Sequence, residues 1–303
     1  VKGNALRILV LGSAAGGGFP QWNCLCPVCQ LAWNGDKRVK PRSQSSLAVS
    51  ADGERWLLLN ASPDLRQQIL SSPFLHPRGA SRQSPIAGVY VTNGDVDHLT
   101  GLLTLRESQS FLLFGSKTTL SQTSGGVFGV LNKNYVQTKT TSLEERLDTG
   151  LGLYVTPFAV PGKDPLWMEK DHVEIGGLTE NTVGLEVSDG QKKFFYIPGC
   201  AEVTPAIKER IAGAEVLFFD GTTFTDSEMV DLGLSQKTAW RMGHVAMSGE
   251  KGSLHALADC NIGRKIFVHI NNTNPVLIED SPERAKVVAA GWDVAYDGME
   301  VTL

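Results

Sequence analysis

The 303-residue sequence has no apolar run approaching the ~20 residues of a membrane span. It has no basic excess either. Its 28 Lys and Arg against 32 Asp and Glu leave a net charge of −4, so neither nucleic acid nor an anionic membrane is an expected partner. The run "VKGNALRILVLGSAAGGG" is too short in apolar residues and too rich in glycine for a secretory signal, and a soluble cytoplasmic protein is expected. Nucleotide-binding fingerprints are missing. "GSAAGGG" resembles a phosphate loop only until Pro20 and the cysteines follow, where a P-loop would need Gly-Lys-Ser/Thr and a dinucleotide loop would need a helix. A flexible backbone turning over a site is the better reading of these glycines. No repeat or low-complexity linker stands out.

Hydrophobic residues make up 42% and charged residues 20%, ordinary for a globular protein whose length suffices for a large core. A single domain over 1–303 is expected. The five cysteines are an odd count, and three of them, Cys24, Cys26 and Cys29, fall within "CLCPVC". A chain this long needs no disulfide staple, and in a reducing compartment clustered thiols read as metal ligands. Thiolates suit Zn²⁺, whose structural sites are four-coordinate, so a fourth ligand must come from elsewhere in the chain.

Strands and helices alternate. "LRILVLG" reads as a buried strand. The segments 45–62 and 181–200 read as hairpins turning at Asp52-Gly53 and Asp189-Gly190. Segments 62–72, 98–108, 204–214 and 281–291 read as helices, three of them opened by Ser or Thr followed by Pro. Segments 86–95, 152–160, 215–222 and 265–275 read as strands, three of which run into polar loops. Hairpins mixed with strand–helix units predict an α/β fold with mixed sheets and outer helices. Polar residues collect at 93–98, 199–200, 220–223 and 269–274, the strand ends where such folds place sites. "KDPLW" and "FGVLNKNYVQ" read as loops able to cover a pocket. His76, His172 and His255 read as surface or packing residues and Cys260 as a core thiol.

In "TNGDVDHLTGLL" (92–103), Asp95, Asp97 and His98 crowd a strand end, as metal ligands or as a helix-capping turn. The stretch resembles the metallo-β-lactamase superfamily signature His-x-His-x-Asp-His followed by Gly-Leu. Asn93 and Asp95 stand where the two leading histidines would be, while Asp97, His98 and Gly101-Leu102 match. "YIPGC" resembles the strand end that carries a bridging aspartate, with Cys200 in its place. "VHINN" resembles the late strand with a ligand histidine, His269, and "MGHVAMSG" resembles the phosphodiesterase-branch motif whose histidine, here His244, acts as proton donor. The usual mid-chain ligand histidine is replaced by "PGK" (161–163). The resemblance implies a four-layer αββα sandwich, and the departures break a two-zinc hydrolytic set.

These departures, together with "GSAAGGGFPQWNC" and "HINNTNP", resemble one family from about Leu6 to Leu303: the pyrroloquinoline quinone (PQQ) biosynthesis protein B family. Membership implies iron-dependent, O₂-using hydroxylation of the tyrosine-derived ring of a crosslinked Glu–Tyr precursor. An older family assignment is transport of the cofactor or its precursor toward the periplasm. Phosphodiesterase-like hydrolysis is the third reading. A mononuclear Fe²⁺ site wants about two histidines and one carboxylate. His98, His269 and Asp97 or Asp95 supply them, with Asn93 and Cys200 as further candidate donors. His244 is the candidate acid–base group, and Asp220 a candidate to orient a ligand histidine. Gly17, Gly18, Trp22 and Arg241 are candidate substrate contacts, with Lys163 beside Arg241 as cations for an acidic ligand. The superfamily branch with this cysteine cluster closes its zinc with a histidine three residues after the active-site histidine. That position is Asn272, so either Asn272, with Asn271 or Asn274 as substitutes, or His269 itself closes the Zn²⁺ site. A homodimer is compatible with the sequence.

Overall fold

The computed structural model describes residues 5–79, 81–169 and 174–303, so the expectation for His172 lies outside the described residues. Strand β1 (Arg7–Gly12) shows how the sheets are built. Ile8 and Val10 face one apolar layer with Leu47, Val49, Leu57 and Leu59. Leu9 and Leu11 face another with Ala48, Trp56 and Leu58. Side chains alternate across a strand, so a run buried on both faces must be covered twice.

The first sheet has the order β14 (Glu300–Thr302), β1, β2 (Ser46–Ser50), β3 (Trp56–Leu59), β4 (Ile86–Tyr90), β5 (Phe111–Gly115), β6 (Val136–Thr140). The second runs β13 (Trp292–Val294), β12 (Arg264–Val268), β11 (Val216–Asp220), β10 (Lys193–Ile197), β9 (Gly177–Ser188), β8 (Tyr154–Gly162), β7 (Leu147–Asp148). Both are mixed: β3 to β6 are parallel and so are β10 to β13, while β14-β1-β2-β3 and β10-β9-β8-β7 are antiparallel. Val187, Phe194, Phe218, Ile266 and Val268 meet the inner face of the first sheet. Leu217, Phe219 and Phe267 turn outward onto Ile207, Ile211, Leu257 and Val287. The result is the expected metallo-β-lactamase-type sandwich, with two sheets face to face and helices outside.

Most predicted elements are present, with two differences. The helix expected over 98–108 is one α-turn, Val96–Leu99, continued as a 3₁₀ segment, Thr100–Leu105. Within it a Cβ on Gly101 would lie 2.1 Å from the Ser62 carbonyl oxygen, so only glycine lets this segment press against the loop after β3. The stretch 128–137, expected as a covering loop, instead enters the exposed edge strand β6.

The glycine loop is tied down at its entry. The Asp297 carboxylate accepts from Ser13 N and Oγ (3.0 and 2.9 Å) and from Ser43 N and Oγ (2.6 and 2.7 Å). Ile270 N donates to Ser13 O (2.9 Å) and Ala15 N donates to Ile270 O (2.8 Å). The chain leaving β1 therefore lies along the chain leaving β12. No helix among the described residues is long and apolar enough to cross a membrane.

A buried carboxyl braces the neighbouring loop. Glu228 accepts from Phe224 N (2.7 Å) and from Thr273 Oγ1 (2.6 Å), and burial pushes its pKa up from 4.5 to about 7. Between these values the folded chain holds a proton that the unfolded chain has released. Stability from this group is complete below the ordinary glutamate value and is lost as pH rises through about 7. Urea unfolding across this window should show a decline of roughly 1–3 kcal/mol that Glu228→Gln flattens. An unchanged slope in the variant would refute this role.

Candidate metal centres

The loops after β4, β11 and β12 converge. Asn93 Oδ1 accepts from Asp95 N (3.0 Å), which fixes the orientation of its amide. The same oxygen lies 2.8 Å from His98 Nδ1, so His98 must donate there and its lone pair sits on Nε2. That Nε2 is buried and has no hydrogen-bond partner among the described residues. It lies 3.7 Å from Asp97 Oδ2.

His269 approaches the same carboxylate from β12, its Nε2 3.0 Å from Asp97 Oδ2. Its backbone is left-handed, φ 56°, a strained setting for a residue with a Cβ. The Ile270–Ser13 pairing holds it there. Its Nδ1 is 2.9 Å from Thr222 Oγ1, and Thr222 donates its one proton most directly to Asp220 Oδ1 at 2.7 Å. Thr222 therefore accepts from His269 Nδ1–H and turns Nε2 toward Asp97. Burial opposes ionisation of Asp97, but the imidazoles of His98 and His269 outweigh it and hold the carboxyl below its ordinary range. Burial lowers the pKa of His98. At His269 burial pulls the same way, and Asp97 overcomes it and raises the pKa. Donor atoms of Asp97, His98 and His269 all lie within 4.8 Å of one another. Two imidazole Nε2 atoms and one carboxylate form a set suited to a divalent transition metal. The unpartnered Nε2 of His98 is the observation that fits a cation here.

A second group, Asp220, His244 and His269, adjoins the first. His244 Nδ1 is 2.7 Å from the fully buried Asp220, and its ring stacks on His269 at 5.1 Å. Asp220 orients His244 directly and His269 through Thr222. Thr222 was not among the expected site residues. Nothing in "DGTT" marks which hydroxyl reaches two histidines.

Several expectations need correction. Asn93 is not turned toward Asp97, since its oxygen is spent on His98 and Asp95. Cys200 is fully buried with Sγ on the Glu202 carbonyl (3.0 Å), where burial raises its pKa strongly, and only its backbone N reaches Asp220 (2.9 Å). Asp95 Oδ1 accepts from Leu166 N (3.3 Å), and Asp95 falls outside the three-donor groups. Trp22 is 82% exposed, and Gly17 faces Gln21 and Gln44, Gly18 the Arg42 carbonyl. The glycine that faces the centre is Gly16, whose Cβ position lies 3.5 Å from the Asp97 carboxyl. Arg241, by contrast, faces the Glu169 carboxylate at 3.7 Å, a placement compatible with its expected contact to an acidic ligand.

The sulfurs of Cys24, Cys26 and Cys29 lie within 4.8 Å of one another, all buried. Pro27 opens the short helix Pro27–Trp33, and Cys29 N donates to Cys26 Sγ (3.4 Å). Asn272 closes the cluster on its far side. Its Nδ2 is 3.3 Å from Cys29 Sγ, and its carbonyl is 3.7 Å from Cys26 Sγ and 3.8 Å from Cys29 Sγ. Asn271 turns instead to Thr273 Oγ1 and Asn274 to the Gly221 carbonyl, which removes both as substitutes. His269 faces Asp97 and Thr222, away from the sulfurs. Burial pushes Cys26 up to about 12 and raises Cys29 as well, so these two thiols ionise only beside a cation.

A family model described as a beta-lactamase superfamily domain matches residues 55–270. The chain thus belongs to that superfamily, and a diphosphatase of the PhnP family shares the fold (TM-score 0.70, 20% identity, 99% of this chain and 97% of that one). Within it the chain belongs to the coenzyme PQQ synthesis protein B family. It is 58% identical to the coenzyme PQQ synthesis protein B of Methylorubrum extorquens (strain PA1), over 98% of this chain and all of that one. The crystal structure of Zn²⁺-bound PqqB from Methylobacterium extorquens superposes with a TM-score of 0.96 at 58% identity, covering 98% of this chain and 100% of that one.

Two outcomes are expected. Thr222→Val frees the His269 ring and should weaken divalent-metal binding at the Asp97 centre by about 10-fold or more in a chelator-competition titration. Elemental analysis of anaerobically purified protein should show Cys29→Ser losing one metal equivalent and His98→Ala losing a different one. Loss of both ions in either single variant would contradict two separate centres.

Proposed function

We propose that this protein acts in coenzyme PQQ biosynthesis as a metal-dependent oxygenase that hydroxylates the tyrosine-derived ring of a crosslinked Glu–Tyr precursor. One observation carries the reading: two imidazole Nε2 atoms and a single carboxylate converge, while the residues that replace the superfamily's other ligands are turned elsewhere. Asn93 serves His98 and Cys200 faces Glu202, so the donors for a second hydrolytic metal are lacking at those positions. Asp97, His98 and His269 would hold Fe²⁺, which when bound supplies activation of O₂ for transfer to the ring. Asn93 and Thr222 set the tautomers of the two histidines. Gly16 keeps the space beside Asp97 free of a side chain. His244, held through Nδ1 by Asp220, has Nε2 left to take or return a proton. It lines a cavity of about 440 Å³ with Trp240, Val245 and Thr238, of a size for a small aromatic substrate. Cys24, Cys26, Cys29 and Asn272 would hold a structural Zn²⁺ that pins the glycine loop and takes no part in the chemistry.

Protein reconstituted anaerobically with Fe²⁺, then given isotope-labelled O₂ and the crosslinked precursor, should place the label in the aromatic ring. His98→Ala should abolish the incorporation. Confirmed iron occupancy without label in the ring would overturn the oxygenase reading. Tight quinone binding that survives His98→Ala would then favour a carrier.

A further inference from the structure

β8 ends in the stretch where the superfamily carries a mid-chain ligand histidine. Here the residue that follows is Lys163, and its surroundings are those of an anion site rather than a metal site. Lys163 Nζ lies 2.9 Å from Glu169, Lys237 Nζ 3.2 Å and Arg241 Nη2 3.7 Å. Three cations share one carboxylate, and within this group two positive charges are left over. Lys163 and Glu169 are nearly buried, with side chains 12% and 11% exposed, whereas Lys237 and Arg241 are about a third open to solvent (35% and 34%).

The position of this group matters more than its charge. Lys163 packs against Gly243, where a Cβ would come within 3.1 Å of its Cγ, one residue before His244. Lys237 and Arg241 flank Thr238 and Trp240, two residues that line the His244 cavity. Glu169 belongs to a strap, 163–169, that crosses to the opposite rim. There Leu166 N donates to Asp95 Oδ1 (3.3 Å) and Trp167 Nε1 to the Gly94 carbonyl (2.9 Å). Asn181 Nδ2 donates to Asp164 Oδ1 (2.6 Å) and Gln122 Nε2 to Met168 Sδ (3.2 Å), while Leu166 and Trp167 are 63% and 56% exposed. A nearly buried carboxylate on a strap with an exposed crest therefore fills a cation cluster beside the proposed reaction cavity.

We propose that Lys163, Lys237 and Arg241 form the subsite that recognises a carboxylate of the substrate, and that Glu169 occupies it as an internal stand-in until the substrate's carboxylate displaces it. This deepens the PQQ-precursor reading, since it names the acidic end of that molecule as what the cluster selects. Charge-assisted contacts of this kind discriminate strongly between an acid and its neutral ester.

The test uses the full chain loaded with Zn²⁺ and two probes, PQQ and its trimethyl ester, followed by Trp fluorescence titration. PQQ should bind wild type at least about 10-fold more tightly than the ester, as expected when charge-assisted pairs are lost. Lys237→Met and Arg241→Met should each weaken PQQ binding about 10-fold and leave ester binding unchanged. Glu169→Gln removes the competitor and should tighten PQQ binding several-fold. Circular dichroism and Zn²⁺ uptake equal to wild type certify each variant as folded. Equal affinity for acid and ester, no saturable PQQ binding to wild type and Glu169→Gln alike, or weaker PQQ binding in a folded Glu169→Gln would overturn the subsite. The last result would make Glu169 a brace for the cations. Because no turnover is measured, an acid preference can hold while ring hydroxylation fails, and the reverse.

Discussion

Two hydrogen bonds organise the reactive end of this molecule: Ile270 N to Ser13 O and Ala15 N to Ile270 O. They lay the exit of β1 along the exit of β12, joining the first sheet to the second at one rim. Everything downstream on both segments then has to meet. Gly16 comes to rest beside Asp97, and the cysteine loop comes to rest beside Asn272. His269 is pushed into a left-handed backbone that points its ring at Asp97. The strain at that one residue, about 1–3 kcal/mol, is sustained because its neighbours are fixed on both sides.

The centre around Asp97 is arranged by tautomers as much as by positions. Asn93 can only accept at its oxygen once the Asp95 amide has oriented it, so it forces the His98 lone pair onto Nε2. Thr222 does the same for His269, because its own proton is drawn to Asp220. A residue that replaces a superfamily ligand has thus become the residue that aims a ligand. The changes that break the two-metal set leave the remaining donors better directed.

The three thiols form a second centre at the same strand end, and the two do not compete. His269 has both ring nitrogens engaged on the Asp97 side. Asn272, three residues on, presents both its carbonyl and its amide to the sulfurs. The short helix opened by Pro27 brings Cys29 back onto the Cys26 sulfur, and burial keeps Cys26 and Cys29 protonated until a cation arrives. A closed thiolate site here would stiffen the loop whose Gly16 lies close to Asp97. The two candidate centres are coupled through backbone rather than through shared donors.

Much of this was legible in the chain. Continuous apolar runs in 6–12, 215–222 and 265–275 marked strands, and the structure buries them on both faces. Ser and Thr before Pro marked helix starts, and the spacing of Cys24, Cys26 and Cys29 marked a metal site. Local rules suffice there, because period, caps and close spacing act within a few residues. They could not separate Asn272 from His269 as the group facing the sulfurs, nor show that Cys200 turns from the centre, nor find Thr222 and Glu169. Each of those depends on which way a side chain points after β8, β11 and β12 have taken their places in one sheet. The sequence by itself determined the sandwich and the list of possible donors. Tertiary structure decided which donors face one another, because orientation at a strand end is set by the neighbouring segment, which lies 47 residues away for Thr222 and His269 and 243 for Asn272 and Cys29.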